Sequence, residues 1–182
     1  MARVVILNGV GSAGKGSIAK ALQAITARPF LHVPMDAFLE MMPEATLDHP
    51  DGLVFETLAD VTPPEVAIHV GPYAHRVFAG MRRAVAALAA QGLDLIVDDV
   101  MEAPEAADYR ALLADHRVSW VAVRASLDVL EAREAARGDR LIGLARHQFD
   151  RVHRGIVYDL EVDTSRATPE ACARLIKDRL GL

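Results

Sequence analysis

Short runs of branched, apolar residues recur along the chain: "RVVILNG", "FLHVPM", "LDLIVDDV", "RVSWVAV" and "GIVYDLEVD". Each has strand length and few polar breaks, the pattern of a buried strand. Between them, "KGSIAKALQAITA", "YAHRVFAGMRRAVAALAAQ", "PEAADYRALLADH", "SLDVLEAREAAR" and "TPEACARLIKDRL" place apolar residues at helical spacing. Pro104 and Pro169 suit the first turn of a helix. Strand and helix alternate throughout. This order predicts an α/β fold, a five-stranded parallel sheet flanked by helices, with ligands gathered at the carboxyl ends of the strands.

Residues 37–72 break the rhythm with proline, methionine and acidic side chains in weak periodicity. A stretch of this length inside a compact domain reads as an acceptor-binding insertion. Met35, Phe38, Met41, Met42 and Phe55 are available either to line a pocket or to pack on the sheet. With 182 residues the chain has room for one sizeable core, so residues 1–182 are expected to form a single domain.

Composition narrows the partners. A net charge of −5 and a pI near 5.8 argue against nucleic acid. Cys172 is the only cysteine, which excludes an internal disulfide. Arg3 leads directly into "VVIL" and leaves no space for a signal peptide, and the longest apolar run, "AVAALAA", is too short for a bilayer. The expectation is a cytoplasmic protein without a membrane partner. Oligomeric state is not legible.

The first strand runs into "NGVGSAGKGS", which matches the phosphate-loop pattern G-x-x-x-x-G-K-[ST] at Gly9, Gly14 and Lys15 and departs from it at Gly16. Glycines bring successive backbone N–H groups onto phosphate oxygens at the positive end of the next helix. Gly9, Gly11 and Gly14 supply that backbone, and Ser12, Ala13, Gly16 and Ser17 complete the expected cofactor-binding loop. The chain holds three lysines against seventeen arginines, so Lys15 at the one position needing a compact ammonium is informative. Ser17 follows one residue late. At ~3.6 residues per turn its hydroxyl is rotated by about 100° from the usual place.

Three further groups follow the strands. Asp36 ends the second and suits either a general base toward a substrate hydroxyl or a helix N-cap. Asp98 and Asp99 end the third in a Walker B arrangement. Their side chains point to opposite faces, so one reaches a metal. Asp98, acting through water on Mg²⁺, is the first choice. "EAREAARGDR" puts Arg133 and Arg137 on one helical face, with Arg140 just beyond, as cations for a transferred phosphoryl group. Glu131 and Glu134 are alternative partners for these arginines. None of the seven histidines has metal-ligand spacing, and none is assigned a site role.

In order and spacing, "VVILNGVGSAGKGS", "MDAFLEMMP", "GPYAHRVFAGM", "LDLIVDDV", "EAREAARGDR" and "QFDRVHRGIVYDLEVDTS" resemble the chloramphenicol phosphotransferase family of P-loop kinases. The resemblance runs the length of the chain. It implies a nucleoside-kinase-like fold, ATP as phosphate donor and a hydroxyl of a small antibiotic as acceptor. It also implies Asp36 as general base, Lys15 with the loop on the β/γ-phosphates, and Arg133 and Arg137 in a lid at residues 131–146. "DTSRAT" falls where such kinases hold adenine. The family runs Gly-Lys-Ser-Gly where this chain has Gly14-Lys15-Gly16-Ser17. Two alternatives remain open. One is a kinase of another small alcohol, such as a sugar, nucleoside or metabolite, and the other is a nucleotide-binding regulator without turnover.

Overall fold

The computed structural model describes residues 1–137 and 141–182. Its frame is a parallel five-stranded sheet of β1 (Arg3–Asn8), β2 (Phe30–Pro34), β5 (Asp94–Asp99), β6 (Arg117–Arg124) and β7 (Leu160–Asp163). Their order across the sheet is β2-β5-β1-β6-β7. These are the five expected strands, although β7 is shorter than "GIVYDLEVD". Just before it, the Asp159 carboxylate accepts the Trp120 N–H at 2.7 Å, so a side chain fills the ladder position that a strand carbonyl would take.

Alternation along each strand divides the interior into two cores. Val5, Leu7, Ile96, Val121 and Val123 pack against α1 (Lys15–Ile25) and α7 (Pro169–Leu180). Val4, Ile6, Leu95 and Val97 pack on the other face against α3 (Pro72–Ala90) and α4 (Ala103–Leu112), where Met81, Tyr109 and Leu113 are buried. Even-numbered residues of β5 therefore face α1, and odd-numbered ones face α3 and α4. The connection from β6 to β7 carries α5 (Leu127–Arg137) and the short α6 (Leu144–Phe149).

The segment expected to be irregular holds structure of its own. It opens with α2 (Met35–Glu40), passes a 3-10 turn at Glu44–Thr46, and forms an antiparallel hairpin of β3 (Leu53–Leu58) and β4 (Glu65–Val70). Leu53 pairs with Val70 and Phe55 with Ile68, so one face of the hairpin is apolar. With Met42, Leu39 and Ala74 it makes a small third core on α3. At its base the Gly71 N–H donates to the Gly52 carbonyl at 2.7 Å. Among the described residues no helix is long and apolar enough to cross a membrane.

Candidate active site

The β1–α1 turn is shaped for phosphate. Gly14 precedes α1 at φ 89°, a left-handed conformation that glycine adopts without steric cost, and no side chain caps the helix. The first N–H groups of α1 are left to a ligand. A Cβ on Gly9 would lie 2.3 Å from the Val123 carbonyl, so only glycine lets the loop pass this close over β6. The Lys15 ammonium is buried and curls over its own loop, donating to the Gly9 and Val10 carbonyls at 3.0 and 3.1 Å.

A cleft of about 760 Å³ opens here at the carboxyl ends of the strands. Gly11, Ser12, Gly14, Lys15, Gly16, Ser17, Asp36, Asp98, Arg133 and Arg137 all line it, so most of the expected site residues converge. Gly9 and Ala13, also of the loop, are not among the residues that line the cleft. Ala13 is buried and its carbonyl accepts the Thr164 hydroxyl at 2.8 Å. Arg140 lies outside the described residues.

The individual placements refine the expectations. Asp98 sits on the α1 face, with Oδ1 3.7 Å from Lys15 Nζ and Oδ2 3.5 Å from His32 Nε2. Asp36 lies exposed in the first turn of α2, whose N-cap is Pro34, so Asp36 does not cap the helix. Arg133 is held by hydrogen bonds at the edge of the cleft. Its guanidinium donates to the Thr164 carbonyl (2.8 Å), the Thr164 hydroxyl (3.0 Å) and the Ser12 carbonyl (3.4 Å). Glu131 pairs with Arg146. Glu134 is buried and accepts the Gly143 and Ala145 N–H groups, each at 2.8 Å, at the start of α6.

A second cavity, of about 570 Å³, lies on the α3–α4 face. The hairpin contributes Leu53, Phe55, Ile68 and Val70, α3 contributes Phe78 and Met81, and Leu144, His147, Gln148 and Arg151 follow at helical spacing along α6 and the turn after it. Phe55 takes the lining role expected of it. Met41 instead points to solvent at 65% exposure, and Met42 is buried in the third core. Met35, Asp99 and Val100 line both this cavity and the phosphate cleft. At that shared wall the Asp99 carboxylate accepts the Val100 N–H (2.7 Å) and the Tyr109 hydroxyl (3.1 Å). Burial raises the Asp99 pKa, an effect opposed by these two hydrogen bonds and by Lys15 and Arg82.

Residues 2–181 match the family described as chloramphenicol phosphotransferase-like protein. The chain belongs to this family. As a chloramphenicol phosphotransferase-like protein it is a phosphotransferase with a hydroxyl acceptor. A relative from Mycobacterium tuberculosis, provisionally named an O-phosphotransferase, is 32% identical over 173 residues, covering 92% of this chain and 76% of the relative. Among solved structures, a sugar kinase from Janibacter sp. HTCC2649 superposes with a TM-score of 0.68 at 18% identity, covering 100% of this chain and 95% of the other. The Mycobacterium tuberculosis APS kinase CysC, in complex with AMPPNP and APS, gives 0.68 at 17% identity, with 100% and 98% covered. These likenesses establish the fold as that of P-loop kinases.

Sequence reasoning missed several residues that build the site. His32 lines the phosphate cleft, and His75 and His147 line the second cavity. Gln148 reaches back to accept the Gly11 N–H at 2.9 Å. The Asn8 amide donates to the Met101 and Val152 carbonyls and accepts the Met101 N–H. Among these, only Asn8 had a legible signal, as the one amide side chain at the end of a buried strand.

Proposed function

We propose that this phosphotransferase moves the terminal phosphate of ATP, with Mg²⁺, to a hydroxyl of a compact, largely apolar alcohol, and that chloramphenicol is the first acceptor to test. The shared wall carries the reading: a cleft lined by the phosphate loop meets an apolar cavity at Met35, Asp99 and Val100. A cavity of about 570 Å³ whose lining is mainly apolar, with His75, Arg82, Glu105, His147 and Arg151 among its polar groups, suits a drug-sized alcohol.

In this reading the acceptor hydroxyl comes through the cavity to the wall. Asp36 takes its proton as the oxygen forms a bond to the terminal phosphorus and the bond to the ADP oxygen breaks. Lys15 and the loop N–H groups hold the β/γ-phosphates, and Arg133 and Arg137 offset the spread charge. Thr164, in the stretch assigned to adenine, lines the same cleft. Mg²⁺, when bound, neutralises charge on the β- and γ-phosphates. The residues present fit an ion that keeps most of its waters: the Asp98 carboxylate faces the loop, where it would hold the ion through water, and Gly16 leaves room beside it.

A second reading, a nucleotide-binding regulator without turnover, is favoured by the missing hydroxyl at Gly16. The deciding measurement is ADP release with chloramphenicol and a panel of other hydroxylated compounds, beside a basal ATPase control and Lys15→Ala. Acceptor-dependent ADP release with a phosphorylated product, lost in Lys15→Ala, is expected. Mg²⁺-dependent transfer to none of the acceptors would favour the regulator.

A further inference from the structure

The substitution at Gly16 removes a hydroxyl from a place where P-loops use one, and the surroundings show what faces that gap. A Cβ built on Gly16 would lie 3.3 Å from Asp98 Oδ2. His32 Nε2 lies 3.5 Å from the same oxygen, longer than a good hydrogen bond, and this shielded nitrogen has no hydrogen-bonding partner among the described residues. Pro34 pairs with Asp98 across the sheet, so His32, two residues back, shares its face and leans toward it. Lys15 attends to the other carboxylate oxygen, Oδ1. One oxygen of Asp98 thus has a cation, and the other is bordered by an imidazole and the space at Gly16.

Buried polar atoms without partners are uncommon and ask for a ligand, and a shielded imidazole nitrogen next to a carboxylate in a phosphate cleft is placed to hold a water of a hydrated cation. We propose that His32 is a positioning residue that makes good the missing loop hydroxyl, fixing Asp98 and a water of the nucleotide-bound divalent ion. The inference rests on the nucleotide reading above and concerns how the metal is held. His32 and Asp98 together do from the β2–β5 pair what a serine after the loop lysine does from α1. Gly16 is the complement of that arrangement, since any side chain there would press on Asp98.

The test uses Mn²⁺ and AMPPNP, with free Mn²⁺ read by electron paramagnetic resonance and metal-free AMPPNP binding measured calorimetrically in EDTA. His32→Ala should weaken Mn²⁺ binding in the nucleotide complex by about tenfold or more, the usual range for losing a group that orients a metal ligand. Metal-free AMPPNP affinity should stay within about twofold. His32→Asn, which keeps a donor, should recover part of the loss. Gly16→Ser should gain little alone, because it crowds Asp98, and should restore Mn²⁺ affinity in the His32→Ala background, where Asp98 has room to shift. Such non-additivity is the mark of two groups sharing one task. Unchanged Mn²⁺ affinity in both His32 variants would overturn the inference, as would an equal loss of metal-free AMPPNP binding. If the parent binds AMPPNP under neither condition, the nucleotide reading falls and takes this inference with it.

Discussion

A carboxylate's position relative to the two cavities decides what it is able to do. Asp36 lines the phosphate cleft and is exposed, and the N-cap of α2 is Pro34. With an active acceptor, Asp36→Asn is expected to lower kcat by roughly two to four orders of magnitude while ATP affinity barely moves, as for loss of a positioned base. A lower melting temperature with an unchanged rate would instead make Asp36 structural. A second prediction concerns His153, whose pKa is pushed down to about 4, first by burial and then by Arg124. Its folded-state pKa is below the unfolded value near 6.5, so between those values the unfolded chain takes up a proton that the fold refuses. Stability should therefore fall as pH drops from about 6.5 to about 4. His153→Gln should flatten that part of a melting-temperature profile. At this scale the sequence was informative where a motif fixes a side chain's direction, as at Lys15 and at Asp98 beside Asp99. It was silent at His32, because a histidine on an apolar strand gains meaning only from the strand paired beside it.

Elements built on helical or strand periodicity were legible; those built on closing contacts were not. The five parallel strands and the helices between them follow from apolar runs and their spacing. The hairpin escaped because β3 and β4 are six residues each, mix acids with branched residues and show an apolar face only once paired. Helix α6 escaped because it has six residues, too few for a periodicity to register, and is held by groups distant in sequence. Its start is capped by Glu134, its His147 lies 3.0 Å from Glu65 on β4, and the Gly143 carbonyl accepts the Val66 N–H at 3.0 Å. Glu134→Ala leaves two buried N–H groups without this partner and should cost about 3–6 kcal/mol of stability by denaturant titration, given that hydrogen bonds to charged groups contribute about 1.5–3 kcal/mol each. Acceptor KM should rise with it if the second cavity takes the acceptor as proposed, because α6 lines that cavity. A KM unchanged in a destabilised variant would separate α6 from acceptor binding.

Across the whole molecule, the division of β5 into two faces sorts the chemistry. Asp98 looks toward α1 and the phosphate loop, and Asp99 looks toward α3, α4 and the apolar cavity. In the proposed reading, nucleotide and acceptor therefore approach from opposite sides of one sheet and meet where its carboxyl edge ends. The hairpin stands apart from this frame. It pairs with no strand of the main sheet, and its two ends are joined at the base by the Gly71–Gly52 hydrogen bond, with the Tyr73 N–H donating to the Asp51 carbonyl at 2.7 Å beside it. A segment whose ends touch can be exchanged without stretching the chain on either side of it, so the stretch is replaceable with the rest of the fold kept in place. Replacing residues 51–71 with the corresponding stretch of a family member of different acceptor preference, while keeping Glu65 and Val66 for α6, should transfer that preference in a competition assay between the two acceptors. Nucleotide KM should remain within about threefold, since no loop contact is altered, in line with the near-independence of distant sites. Transfer of preference without loss of turnover would mark the hairpin as the segment that selects the acceptor in this protein, and an unchanged preference would remove it from that role.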